Sequence, residues 1–77
     1  MQTSRVQVYR NNRAAQGVRV RFEYEGLSQM GFTETFYTND DGVAYVHHSS
    51  TGWANVYLDG REQSDKINTP GQEIFYL

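Results

Sequence analysis

The sequence predicts an all-β fold, a sandwich or barrel of short strands. Three observations carry this. Apolar and polar residues alternate with period two along most of the chain. Turn residues punctuate it at intervals of roughly 8–12 residues. No window repeats apolar residues at i, i+3, i+4 and i+7 over three turns, so no helix of useful length is expected. The 77 residues suit one small domain, residues 1–77.

The first strand is expected at residues 5–10, with Val6 and Val8 on one face and Arg5, Gln7 and Tyr9 on the other. "NNRAAQG" follows as a polar loop. The second strand, residues 17–25, has the clearest pattern: Val18, Val20, Phe22 and Tyr24 line one face, and Arg19, Arg21, Glu23 and Glu25 the other. "GLSQMG" joins it to a third strand at 32–38, with Phe36 inward. The fourth is Val43–His48, and "SSTG" leads to a fifth at 53–58. "LDGR" is a tight reversal, a weak sixth strand lies near 61–63, and "NTPGQ" precedes the last at 72–77, with Ile74 inward. The only proline thus stands before a strand, where it costs no ladder bond.

The stretch "TNDDGVAYVHH" holds the residues most suggestive of chemistry. Asn and Asp tolerate left-handed backbone and Gly42 accepts it freely, so "TNDDG" reads as a short hairpin loop with Asp40 and Asp41 in solvent. A calcium loop needs about 6–8 converging oxygens, and Val43, Ala44 and Tyr45 offer only carbonyls. His47 and His48 are neighbours on a strand and point to opposite faces, so they cannot grip one metal. One is expected in solvent and the other at the core edge. No metal or cofactor is expected.

Composition narrows the function classes. There are no cysteines, which removes disulfides and thiolate metal sites. No apolar run approaches the ~18 residues of a membrane span, and "MQTSRVQVYR" has no apolar segment of a signal peptide. Net charge is −2, which leaves no strong general attraction to nucleic acid. Charge is uneven: the first 22 residues carry five arginines and no acid, and the rest carry two bases and nine acids. Either those arginines pair with acids inside the fold, or they form a basic edge for an anionic partner.

"VQVYRNNRAAQGVRVRFEY", "FYTNDDGVAYV" and "TGWANVYLDG" resemble the carboxypeptidase regulatory-like or transthyretin-like domain. Asn12 and residues 14–17 match its first loop, though the family's proline there is missing; Thr38, Asp41 and Gly42 match its hairpin; Gly52, Ala54, Val56, Leu58 and Gly60 match its later strand. The resemblance covers about residues 5–60. It implies a seven-stranded antiparallel β-sandwich, prealbumin-like or immunoglobulin-like, and a non-catalytic module for adhesion, stability or assembly, often part of an extracellular or periplasmic protein. One transthyretin-like branch hydrolyses hydroxyisourate with a C-terminal Tyr-Arg-Gly-Ser. This chain ends "EIFYL", so an enzyme of that kind is not expected.

In the family's frame Ala44, Val46, Ala54, Val56 and Leu58 face inward. Trp53 falls one place before the family's aromatic, so Val43, Tyr45, Trp53 and Tyr57 share the outer face of adjacent strands. A one-residue slip would reverse the assignment. Such an apolar patch marks an interaction surface. Two readings follow: a structural module that self-associates through these rings as a homo-oligomer or sits within a parent protein, or a carbohydrate-binding module whose rings stack on a sugar. A polar rim near the rings favours sugar, and a flat apolar patch favours protein. No Ser–His–acid spacing, phosphate loop or carboxylate pair supports catalysis.

Overall fold

Strands that alternate apolar and polar residues must cover their apolar faces, and here they cover one another in two layers. The computed structural model describes residues 1–25 and 31–77; the expected connector at 26–30 lies outside the described residues. Nine strands form among them: β1 (Gln2–Arg10), β2 (Arg13–Ala14), β3 (Arg19–Tyr24), β4 (Gly31–Phe32), β5 (Phe36–Tyr37), β6 (Val43–His48), β7 (Gly52–Leu58), β8 (Arg61–Thr69) and β9 (Gln72–Tyr76). No helix is long and apolar enough to cross a membrane among the described residues.

In the first sheet β1 lies between β9 and β6, and β2 continues the β6 edge. In the second, β3 pairs with β7, β7 with β8, and β4 and β5 lie end to end along the other edge of β3. The count of nine corrects the expected seven, for two local reasons. Asn11 and Asn12 both adopt positive φ, 53° and 63°, the geometry of a two-residue hairpin turn, and this folds β2 back on β1. The expected third strand is cut in two because the Thr33 hydroxyl, rather than a carbonyl, accepts the Phe22 N–H at 3.0 Å. The sandwich is also not wholly antiparallel: β1 and β9 run parallel, Arg5 beside Gln72 through Tyr9 beside Tyr76.

The core sits between the layers. Val6, Val8, Val18, Val20, Phe22, Val46, Val56 and Leu58 are buried as expected, with Ala44 and Ala54. That settles the register in favour of small residues inward on β6 and β7. Ile74 is the exception: it is 47% exposed, and its neighbour Phe75 is buried instead. The weak sixth strand is in fact the long β8, which contributes buried Ile67.

The hairpin expected at "TNDDG" is a crossover from β5 in one sheet to β6 in the other. Asn39 organises it, its Oδ1 accepting from Asp41 N–H at 2.9 Å and Val43 N–H at 3.0 Å. Gly42 is required there: its φ is 75°, and a Cβ would lie 2.7 Å from the Val8 carbonyl oxygen. Beside it, buried Thr38 accepts from Val18 N–H at 2.9 Å and donates to the Ala15 carbonyl, locking the crossover at 15–18 to the one at 38–42. "LDGR" is a tight reversal between β7 and β8, with Asp59 and Gly60 both at positive φ.

Candidate functional site

The four residues expected on one surface are divided. Tyr45 stands on β6, in the first sheet, and is 53% exposed. Trp53, 66% exposed, and half-buried Tyr57 stand on β7, in the second sheet. Strands β6 and β7 follow one another in sequence, but the chain changes layer between them, so Tyr45 faces away from Trp53 and Tyr57. Val43 shares the outward parity of Tyr45 yet is only 4% exposed, closed off by the crossover whose Asn39 takes its N–H and also donates to its carbonyl. Its side chain is therefore not part of the exposed outer face.

The outer face of the first sheet gathers Tyr45 with Ile74 and with Tyr76, which stacks on Tyr9 at 5.6 Å between ring centroids. Arg5 lies between Tyr45 and Gln72 in the pairing register. It makes no ion pair among the described residues, whereas Arg10 and Arg19 both approach Asp59 at 3.6 Å. The outward positions of β1, β6 and β9 include Arg5 and His47 and no carboxylate. Tyr9 was legible as outward; Ile74 and Tyr76 were missed, because Phe75 and not Ile74 is the core residue of β9.

The outer face of the second sheet is more polar. The Arg21 guanidinium lies 4.1 Å from the Phe32 ring centroid and 5.6 Å from that of Tyr57, and the two rings meet edge to face at 5.3 Å. The Tyr57 hydroxyl donates toward Glu23 at 3.3 Å and Glu62 at 3.2 Å. Asn55 donates to Glu23 at 3.2 Å and Glu25 at 3.0 Å. Burial, and then the negative charges of Glu23 and Glu62, push the Tyr57 phenol above its ordinary value of 10.0. Trp53 stands beside this network, opposite Asn68 on β8. Arg21 and Phe32 were not expected in the site: the outward parity of Arg21 was visible, but an unbroken strand at 32–38 with Phe36 inward would turn Phe32 inward too, and only the break between β4 and β5 frees it to stack on Arg21.

The histidines separate as their adjacency requires. His47 is exposed and bonds Thr3 Oγ1 at 2.8 Å. His48 is buried, with Nε2 2.8 Å from Ser4 Oγ and Nδ1 2.7 Å from the Ser50 carbonyl oxygen. The carbonyl can only accept, so Nδ1 carries the proton and Nε2 accepts from the serine. A serine hydroxyl on an oriented imidazole is the geometry of a nucleophile and its base. Here Ser4 is 1% exposed, and its Oγ also accepts the Gly71 N–H at 3.1 Å. The contact pins β1, β6 and the entry to β9 together beneath the surface. Nearby, the Tyr24 hydroxyl meets Thr69 Oγ1 at 2.6 Å, and burial raises the Tyr24 phenol despite that bond.

Asp40 and Asp41 are exposed on the crossover. Among the described residues no three His, Asp or Glu side chains gather to hold a metal ion. Comparison with models of known protein families and with curated protein sequences returned no match.

Proposed function

We propose that this domain is a non-catalytic interaction module that associates with further copies of itself through the outer faces of its sheets. One observation carries the reading: both faces expose aromatic side chains, while three of the four sheet edges are blunted and β6 forms the fourth. Tyr45 and Tyr76 stand out on one face, Trp53, Phe32 and Tyr37 on the other. Edge strand β8 is bulged opposite residues 55–57 and carries Arg61, Glu62, Asp65 and Lys66 exposed. The β4–β5 edge is broken into two-residue pieces. On β9 the Glu73 carboxylate caps the Ile74 N–H at 3.3 Å. Exposed rings on both faces, with three edges protected, favour face contacts as the route to association.

The likeness to carboxypeptidase regulatory-like and transthyretin-like sandwiches belongs to the same reading. Two packed sheets, and glycines at positive φ at Gly17, Gly42, Gly52 and Gly60, are what those turn signatures require.

The test is molecular mass in solution by light scattering over a wide concentration range. A mass that rises above 8.9 kDa is expected; a monomer at every concentration overturns the proposal. Carbohydrate binding is the second reading, favoured by Trp53 standing among Asn55, Asn68 and Glu25. Trp53 is the only tryptophan, so its fluorescence reports directly on a titration with cellohexaose or chitohexaose. A saturable change by a monomeric protein would establish that reading instead.

A further inference from the structure

We infer that the outer face of the second sheet holds a site for a small tetrahedral oxyanion, the phosphate or sulfate group of a larger ligand, gripped by Arg21 and Arg19. The inference goes beyond self-association and does not rest on it. It begins from the five arginines that precede the first acid of the sequence. Among the described residues only two of them approach a carboxylate: Arg10 and Arg19 share Asp59, each at 3.6 Å. Arg13 is exposed to water, and Arg5 borders a groove on the other sheet together with Glu73. Arg21 is placed differently from both.

Arg21 is half-buried, and the rings of Phe32 and Tyr57 hold its guanidinium in place. Ring contacts engage its charge but bond none of its N–H donors. Among the described residues no hydrogen-bond acceptor and no carboxylate meets them. The guanidinium lines a pocket of about 160 Å3 with Arg19, Thr35, Tyr57 and Gly60. Arg19 and Arg21 stand two residues apart on one face of β3, roughly 6–7 Å along the strand. The Arg19 Nη2 reaches in beside Gly60, where a Cβ would lie 3.9 Å from it. Thr35 brings a hydroxyl from the break between β4 and β5.

A guanidinium offers N–H pairs that match two oxygens of a phosphate or sulfate, and one already held in place loses little freedom on binding. The pocket is smaller than the about 300–1,000 Å3 that encloses a whole drug-sized ligand. It therefore takes one charged group and leaves the rest of the ligand on the open face. The acids of this face are engaged elsewhere or lie further along it. Glu23 and Glu62 receive the Tyr57 hydroxyl, and Glu23 and Glu25 receive Asn55. Lys66 stands opposite Asn55, also away from the pocket. Asp59 is the competitor. Its Oδ1 accepts the Arg19 N–H at 2.9 Å, and it is the one carboxylate in a turn reached by Arg10 and Arg19 and followed by Arg61.

The experiment titrates the protein with sodium phosphate, sodium sulfate and sodium acetate at one ionic strength, held with sodium chloride, and follows backbone amide and arginine Nε–H signals by proton–nitrogen NMR. Phosphate or sulfate is expected to give saturable shifts at Arg19, Arg21, Thr35 and Gly60, and acetate to bind about tenfold more weakly. Saturation by phosphate alone assigns a phosphoryl ligand, and by sulfate alone a sulfate ester. Arg21→Gln should weaken binding about tenfold or more, the loss of charge-assisted hydrogen bonds. Arg21→Lys, which keeps the charge without the fork, should recover only part. Asp59→Asn keeps an acceptor for the Arg19 N–H and releases the guanidiniums, so it should bind several-fold more tightly. If Arg21→Gln does not fold, Arg19→Gln, at an exposed position, carries the same expectation. The proposal is overturned if no signal saturates, if acetate binds as tightly as phosphate and sulfate, if the shifts centre on Arg5 or Arg13, or if the folded glutamine variant binds like wild type. Molecular mass plays no part in the readout, so a protein that proves monomeric overturns self-association and leaves this site standing.

Discussion

At the scale of single residues, a few polar side chains tie the crossovers around the apolar core. Thr38 stitches two crossovers by accepting from Val18 N–H and donating to the Ala15 carbonyl. Thr38→Val keeps the shape and removes both bonds, orphaning backbone groups of two buried residues at about 1–3 kcal/mol each. Urea melts should show that loss, and Thr38→Ser should recover most of it. Gly42→Ala meets the Val8 carbonyl and an unfavourable φ together. It is expected to cost at least about 1–3 kcal/mol, while Gly17→Ala, with open space around it, should cost less. Tyr57 gives a pH signature. Its phenol is raised in the fold, so the folded state favours the protonated form that donates to Glu23 and Glu62. Its contribution is whole below the ordinary tyrosine value of 10.0 and is lost as pH rises from there through the folded value. Melting temperature should therefore fall more steeply above that pH in wild type than in Tyr57→Phe; identical slopes would remove the network from the account.

At the scale of elements, legibility followed burial. Strands β3, β6 and β7 were readable because each buries one full face, and burial is what imposes period two. Strand β8 was not: of "REQSDKINT" only Ile67 and Thr69 are buried, since the strand lies on an edge and owes its place to the Asp59–Gly60 turn and backbone pairing. Nor could the sequence divide the strands between sheets. Asn39, Asp40, Asp41 and Gly42 would serve a hairpin as well as a crossover, because turn chemistry fixes local φ and not the destination of the chain. The same ambiguity at the "SSTG" connector, where the chain also changes layer, put Tyr45 beside Trp53 in the sequence reading. The β9 edge carries a prediction of its own. Gly71 O accepts from Arg5 N and Leu77 N donates to Tyr9 O, so by the alternation of a parallel ladder Gln72, Ile74 and Tyr76 turn their backbone groups to the free edge. Glu73 is the charge that guards it. Glu73→Val should leave the fold intact and raise the rate of fibrillar aggregation, measured by thioflavin fluorescence. An unchanged rate would mean that the edge is protected by something other than this charge.

At the scale of the whole molecule, a chain of net charge −2 keeps Arg5 without an ion pair among the described residues on one broad side, and mixes Arg19, Arg21 and Lys66 with Glu23, Glu25 and Glu62 on the other. Self-association that depends on contacts between these charges should weaken as salt shortens the screening length from about 10 Å at 0.1 M to about 3 Å at 1 M. Light scattering in rising sodium chloride should show smaller species, and growth with salt would point to apolar contact alone. The parallel pairing of β1 with β9 has a different consequence, a mechanical one. Met1 precedes β1 at one end of the ladder and Leu77 follows β9 at the other. A pull applied to Met1 and Leu77 slides these strands lengthwise past each other, so the bonds from Arg5–Gly71 to Leu77–Tyr9 share the load and must fail together. A pull applied instead at Asn12 and Leu77 opens the same ladder from one end, bond by bond. The domain should therefore resist force strongly in the first direction and weakly in the second, a contrast that single-molecule stretching of the two attachments would measure.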